Sequence, residues 1–133
     1  FTVEGVTNGG TQRYCSASGT NRSASFRPVF EADGVYTVEV AYPYSSNSIN
    51  NVTYTIDHAK GTDVFSQNQN ASSNCNQWNL LGQFEFTTAT SKQLGQHSIT
   101  VGNGSVTGNR FYSGGVRLDY VSAADVGDWV LYK

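Results

Sequence analysis

The clearest pattern in the chain is the alternation of apolar and polar side chains over residues 34–42, GVYTVEVAY. In an extended strand the tyrosines and valines at the even positions would lie on one face, and the side chains between them on the other. The turn sequence ADG precedes this run and Pro43 follows it, so both ends are bounded. The pattern therefore predicts a half-buried β-strand.

Several other short runs have the same β character, and segments rich in Asn, Ser and Gly separate them. We predict further strands at residues 52–56, 63–67, 80–87, 97–101 and 115–122, with weaker candidates at 12–16, 23–28 and, as an edge strand, 1–6. Many short strands with turn signals between them are typical of antiparallel sandwiches. We therefore predict an all-β antiparallel sandwich formed by a single domain, residues 1–133.

The regular pattern breaks at the end of the chain, in residues 123–133. This segment contains Trp129 and Tyr132. Large aromatic side chains are uncommon in free linkers. We expect a closing strand or a docked tail.

Composition narrows the class of protein. Only 14% of the 133 residues are charged, while Tyr and Phe number 8 and 7, a balance typical of β-rich extracellular proteins. The net charge of −2 provides no basic field for nucleic acid or an anionic membrane. The chain begins at Phe1 without a signal segment, so we interpret it as a mature or excised part of a secreted protein, and we expect a monomer.

Cys15 and Cys75 are the two cysteines, and no C-x-x-C spacing indicates zinc. The first interpretation is a disulfide, which would stabilise the fold by about 4 kcal/mol in the chain-entropy model. The alternative is two free, buried thiols.

Four Asn-x-Ser/Thr sequons begin at Asn21, Asn51, Asn70 and Asn103. In a chain this rich in Asn, Ser and Thr, several are expected by chance. We interpret them as exposed polar loops rather than as evidence of glycosylation.

The residues that catalysis would need are not arranged in a recognisable motif. The two histidines, His58 and His97, lie outside any nucleophile context, and the ten acidic residues are scattered, mostly in turns. We therefore predict that the protein is not an enzyme. For His58, at a strand end, the first interpretation is a hydrogen bond to backbone or to a carboxylate, and the alternative is ligand contact.

Calcium is the one cofactor for which the sequence provides candidate ligands. Glu4 and Asp119 fall in the first and last predicted strands, which a jelly roll places side by side, so their carboxylates could share a hard cation. No dense Asp/Asn ligand loop accompanies them.

Three loop segments, residues 18–23, 42–51 and 108–115, combine aromatic, amide and guanidinium groups. Sugar rings stack on aromatic side chains, and their hydroxyls bind planar amides and guanidinium groups. Arginine also binds carboxylates in a bidentate manner. The candidate ligand-binding residues are Arg22, Tyr44, Asn47, Asn50, Arg110 and Tyr112.

Five segments in order resemble a known family. They are RYCSASGTNRSASFRP at 13–28, ADGVYTVEVAYPYSSN at 32–47, YTIDHAKGTDVFSQNQ at 54–69, QWNLLGQFEF at 77–86 and GGVRLDYV at 114–121. The chain resembles the carbohydrate-binding-like domain of golvesin and of xanthan lyases. The resemblance implies a β-sandwich of jelly-roll (galactose-binding-like) type, carried as one module of a larger secreted bacterial protein.

This chain departs from the family pattern at several positions. Tyr120 follows the aspartate of the last strand, where the family often has a small residue, and the family glutamine corresponds to Gln67 or Gln69. The cysteine pair and the tail are particular to this chain. For Trp78, we favour a structural role over a ligand platform, because burying an indole stabilises a fold by roughly 2 to 3 kcal/mol.

The leading functional hypothesis is a noncatalytic carbohydrate-binding module that targets the catalytic domain of a larger polypeptide to its polysaccharide. The resemblance makes an anionic exopolysaccharide such as xanthan the first ligand to consider. The alternative is a structural or adhesion module that packs against a neighbouring domain without binding sugar. A free-standing hydrolase is the third and least favoured hypothesis.

Overall fold

The computed structural model describes residues 14–88 and 97–123. The strands in these residues are β1 Tyr14–Ser16, β2 Ser23–Phe26, β3 Gly34–Ala41, β4 Val52–His58, β5 Gly61–Gln67, β6 Asn79–Phe86, β7 Ser98–Gly102, β8 Arg110–Tyr112 and β9 Gly115–Ser122, with one 3-10 turn at Ser72–Asn74. The predicted strand at 1–6 and all but the first residue of the predicted tail at 123–133 lie outside the described residues.

The strands pair antiparallel in three sheets, with the orders β6-β3-β9, β2-β7-β4-β5 and β1-β8. The first two sheets face each other across one apolar core. Ring contacts join the two layers: Phe65 of β5 lies 5.8 Å from Phe84 of β6, measured between ring centroids. The predicted all-β antiparallel sandwich is confirmed.

Strand β3 shows why the alternation in the sequence was informative. Tyr36, Val38 and Val40 are buried, whereas Thr37 and Glu39 between them are only half-buried. β3 is the central strand of its sheet. One face of this sheet packs on the core, and the other is partly open. The predicted half-buried strand is confirmed.

Strand β8 was not predicted, because residues 108–115 were interpreted as a loop. It has only three residues, and its partner β1 lies almost one hundred positions earlier, with Tyr14 opposite Tyr112. Three residues are too few to show a period of two. The partner strand, not the local sequence, makes this segment extended.

The hairpin between β4 and β5 gives the His58 ring its two hydrogen-bond partners. Its Nε2 lies 2.7 Å from Asp63 Oδ2, and the backbone N–H of Lys60 donates to its Nδ1 over 3.2 Å. Gly61, opposite His58, has a φ of 133°, which favours glycine. The predicted bonding of His58 to backbone and carboxylate is confirmed.

The predicted disulfide is wrong, because Cys15 and Cys75 are free thiols. Cys75 is buried, and its Sγ donates to the carbonyl oxygen of Ala71 over 3.3 Å. Cys15 lies on β1 opposite Phe111 and packs against the core from there. The alternative interpretation, two free, buried thiols, is therefore right for Cys75, whereas Cys15 is free but only half-buried.

Among residues 14–88 and 97–123, no helix has the length and apolar character needed to cross a bilayer.

The free thiols generate a test. Burial raises the pKa of both thiols, so each forms thiolate less readily than an exposed cysteine. We expect iodoacetamide to react slowly with the folded protein, and to alkylate both cysteines quickly in denaturant without reductant. Intact-mass measurement counts the alkyl groups, with a pre-reduced sample as the control. A protein that takes up alkyl groups only after reduction would contradict the free-thiol state.

Candidate functional site

The two-stranded sheet β1-β8 presents an aromatic and basic surface. Tyr14 is opposite Tyr112 and Ser16 is opposite Arg110, so these four side chains share the outer face, while Phe111 on the inner face is fully buried. We call Tyr14, Arg110 and Tyr112 the tyrosine-arginine face. Strand alternation thus places these three side chains and Ser16 on the opposite face of the sheet from Phe111.

The members of the tyrosine-arginine face hold one another in place. The rings of Tyr14 and Tyr112 meet edge to face with centroids 5.9 Å apart, and Arg110 Cζ lies 4.1 Å from the Tyr14 centroid. Arg110 Nε also donates to Asn109 Oδ1 over 3.2 Å. Tyr14 nevertheless remains 54% exposed, so a large aromatic surface is open to a ligand.

A buried amide anchors this face from below. Gln69 is fully buried; its Oε1 accepts from the backbone N–H of Tyr112 over 2.7 Å, and its Nε2 donates to the Tyr112 carbonyl over 3.0 Å. The same Nε2 donates to the hydroxyl oxygen of Tyr54 over 3.1 Å. The side chain of Gln69 thus makes the two hydrogen bonds to Tyr112 that a neighbouring strand would make. Gln67, the other residue that could correspond to the family glutamine, instead accepts from the hydroxyl of Tyr42.

An amide-rich depression adjoins the tyrosine-arginine face. Its volume is about 250 Å³, and we call it the asparagine depression; its lining residues are Asn47, Ser48, Ile49, Asn50, Asn70, Val106, Thr107, Gly108 and Asn109. Asn109 is the residue that accepts from Arg110, and the backbone N–H of Ile49 donates to the Arg110 carbonyl over 2.9 Å. These two bonds join the depression to the face.

The loop that carries Asn47 and Asn50 is held by a third asparagine. Asn70 Nδ2 donates to the carbonyl oxygens of Ser48 over 2.7 Å and of Ser46 over 3.2 Å. Four of the six predicted ligand-binding residues therefore lie in one continuous region: Asn47, Asn50, Arg110 and Tyr112.

The other predicted ligand-binding residues are placed differently. Tyr44 is 46% exposed, and within residues 14–88 and 97–123 its side chain makes no hydrogen bond or ring contact with the tyrosine-arginine face. Arg22 lines a separate depression on the outer face of the four-stranded sheet. The sequence grouped all six because it could not order the loops in space.

The predicted calcium pair is not brought together by anything that the structure describes. Glu4 lies outside the described residues, and Asp119 is exposed on β9, where its carboxylate lies 3.4 Å from Arg117 Nε. In the described part of the chain, no group of three or more His, Cys, Asp or Glu side chains could hold a metal ion. The calcium site stays a prediction.

Tyr14 is the residue that the sequence analysis missed. It belongs to the weak strand candidate at 12–16, where Tyr14 and Ser16 alternate with the apolar Cys15. That alternation was the available signal for an outward tyrosine. Its importance comes from Arg110 and Tyr112, which are distant in sequence and adjacent only in the fold.

Trp78 is half-buried rather than buried, and it lies outside the apolar core. The guanidinium of Arg117 covers its ring at 4.6 Å, and Arg117 Nη2 also lies 2.7 Å from Glu39 Oε1. This stacking is a structural contact on the sheet surface, with a cation as the partner. The structural role is therefore supported, but the indole burial expected from the sequence is only partial.

Asn103 fixes the loop that borders both depressions. Its side chain is fully buried and makes three bonds: Oδ1 accepts from the Arg22 N–H over 2.8 Å, and Nδ2 donates to the carbonyls of Gly19 and Val106, each over 2.7 Å. This sequon was predicted to be an exposed loop, and that prediction is wrong for Asn103. A short amide in a tight turn can satisfy backbone groups that no strand reaches.

Comparisons with known proteins agree with this architecture. The sequence profile of the family described as Golvesin C-terminal domain matches residues 2–110. Among solved structures, Paenibacillus xanthan lyase matches with a TM-score of 0.69 and 24% sequence identity, over 82% of this chain. The chain spans only 10% of that lyase chain, and the likeness shows a shared fold. No curated protein matches.

Replacement of Asn103 tests its role in holding the site. We expect Asn103→Ala to lower the free energy of unfolding by about 3 kcal/mol, because three backbone groups lose their partner in a water-poor interior. Asn50→Ala, which removes an exposed amide from the same region, should change it by less than about 0.5 kcal/mol. Urea denaturation followed by fluorescence measures both. Equal stability of the two variants would contradict this role.

Proposed function

This chain belongs to the Golvesin C-terminal domain family, and we propose that it is a noncatalytic carbohydrate-binding module of a larger, secreted polysaccharide-degrading enzyme. The observation that carries the proposal is the continuity of a tyrosine pair, of which Tyr14 is exposed and Tyr112 half-buried, with a positioned arginine and an amide-lined depression. These groups supply what a sugar chain requires: an apolar platform for ring faces and planar polar groups for hydroxyls.

Three kinds of group would contact the ligand: an aromatic ring, amides and a guanidinium group. The exposed ring of Tyr14 offers a stacking surface, and the amides of Asn47 and Asn50 can each donate to and accept from sugar hydroxyls. Arg110 adds a fixed positive charge, since Tyr14 and Asn109 already orient its guanidinium. Little side-chain entropy is then lost on binding, which favours affinity.

Both histidines have structural partners, which supports a role without chemistry. His58 is paired with Asp63, and His97 packs against Phe86 and accepts from the backbone N–H of Thr87 over 3.2 Å. Neither lies in the asparagine depression. The proposed contribution to the enzyme is proximity: a bound module raises the local concentration of polymer at the catalytic domain.

An anionic exopolysaccharide such as xanthan is the proposed ligand, because the fold is shared with part of a xanthan lyase and because Arg110 can bind a carboxylate. The net charge of −2 would repel such a polymer weakly at long range. Recognition would therefore depend on short-range contacts at the tyrosine-arginine face. The domain would act as a monomer.

The alternative role, packing against a neighbouring domain, would use the outer face of the three-stranded sheet. Leu80, on β6 opposite Glu39, is 63% exposed there, and the half-buried Trp78 is close to it in sequence. This role predicts no polymer binding by the isolated domain.

Alanine substitution distinguishes the two roles. We expect Tyr14→Ala and Arg110→Ala each to weaken binding to xanthan by about ten-fold or more, which corresponds to about 1.4 kcal/mol and fits the loss of a central aromatic or arginine contact. Affinity electrophoresis and calorimetry against xanthan and a neutral glucan provide the measurement.

The matched control for Tyr14 is Tyr120, which is 53% exposed, compared with 54%, and lies on β9 in a different sheet. Tyr120→Ala should bind as the wild type does. The proposal fails if the wild-type domain binds none of the polymers, or if the Tyr120 variant loses as much affinity as the Tyr14 variant.

A further inference from the structure

The outer face of the four-stranded sheet carries hydroxyl side chains in register across three strands. Thr55 of β4 is opposite Thr100 of β7, which is opposite Ser25 of β2, and the hydroxyls of Ser25 and Thr100 lie 2.8 Å apart. Neighbouring strands are about 4.8 Å apart, so such side chains form a closely spaced polar row. This row lies on a different sheet from the tyrosine-arginine face.

The next row along the sheet is interrupted by a glycine. Gly102 lies between Thr53 and Ser23, and a Cβ at this position would come within 2.8 Å of the Arg22 carbonyl oxygen. Glycine therefore permits the close approach of the Arg22 backbone. A depression of about 260 Å³ lies at this point of the sheet, and we call it the hydroxyl notch; its lining residues are Asn21, Arg22, Ser23, Thr53, Thr55, Thr100, Gly102 and Gly104.

Arg22 is the only charged residue among those that line the notch. Asn103 holds its backbone from both sides, since Oδ1 accepts from the Arg22 N–H and the Asn103 N–H donates to the Arg22 carbonyl over 3.1 Å. Its guanidinium lies against Gly19, where a Cβ would come within 3.1 Å of Nη2. The acidic residue nearest to the notch along β4 is Asp57, whose side chain is the second outward one after that of Thr53.

We propose that the hydroxyl notch is a second saccharide subsite that takes a sugar residue bearing a carboxylate, such as a uronate or a pyruvate ketal. Arg22 binds the carboxylate, and the amide of Asn21 and the hydroxyl of Thr55 bind the sugar oxygens. The local charge is positive in a chain whose net charge is −2, so the notch selects acidic residues over neutral ones.

The subsite rests on the proposed function and extends it from one contact region to two. Gly104 lines the notch, and residues 106–109 of the same loop line the asparagine depression. The buried Asn103 connects them, because its Nδ2 donates to the Val106 carbonyl while its Oδ1 holds Arg22. Two weak subsites on one rigid domain bind a repeating polymer more tightly than either alone.

Nuclear magnetic resonance titration of the 15N-labelled domain tests the subsite directly. Sodium glucuronate is the acidic probe and glucose is the neutral probe. We expect glucuronate, but not glucose, to shift the amide signals of residues 21–23, 53–55 and 100–104. Arg22→Gln should abolish these shifts, and Thr55→Val should weaken glucuronate binding by about three-fold or more, the effect of losing one hydrogen bond.

Two control variants match the charge and the hydroxyl removed. Arg27→Gln removes an exposed arginine that does not line the notch, and Thr37→Val removes a half-buried, outward threonine from the central strand of the other sheet. Both should leave glucuronate binding unchanged. Loss of binding in either control to the same extent as in its partner would overturn the subsite.

Measurement of xanthan affinity distinguishes a wrong subsite proposal from a wrong proposed function. If Tyr14→Ala weakens xanthan binding while Arg22→Gln does not, and glucuronate shifts no notch signal, the subsite is wrong and the proposed function stands. If the wild-type domain binds no polymer while glucuronate still shifts the notch signals through Arg22, the module is wrong and the notch remains an acidic-sugar site.

Discussion

The pair of hydrogen bonds between the buried amide of Gln69 and the backbone of Tyr112 is the contact on which the candidate binding surface depends. Strand β8 is three residues long, and within residues 14–88 and 97–123 it pairs with the equally short β1 and, at Arg110, with a single bridge to Ser48, so it has little ladder bonding of its own. A primary amide can donate and accept in one plane, as a peptide group does. Gln69 therefore completes the sheet from within the core, where losing a partner would be costly.

Asn103 has the same role at the other end of the surface. Its single buried side chain satisfies backbone groups of Gly19, Arg22 and Val106, and so fixes the segments that line the asparagine depression and the hydroxyl notch. Both buried amides thus hold short segments that have few backbone hydrogen bonds to neighbouring strands. Side chains positioned in this way would lose little freedom on binding a ligand.

The division of faces also explains why different parts of the surface suit different ligand groups. The tyrosine-arginine face joins the exposed ring of Tyr14 and the half-buried ring of Tyr112 to an oriented cation, whereas the hydroxyl notch joins short hydroxyls to an arginine without any aromatic group. On the outer face of the three-stranded sheet, Arg117 covers Trp78 as Arg110 covers Tyr14, but Arg117 is also paired with Glu39. That surface has satisfied its own charges, so it offers less to a polar ligand.

The sequence by itself determined the sandwich, because alternation in strands such as β3 and turn residues between them report burial and chain reversal locally. It also predicted Asn47, Asn50, Arg110 and Tyr112 as ligand-binding residues by their chemistry. Only the tertiary structure decided that these four lie together, that Tyr14 joins them, that Arg22 belongs elsewhere and that the two thiols stay apart. The physical reason is that these relations depend on long-range strand pairing and on buried amides, neither of which leaves a local periodic signal.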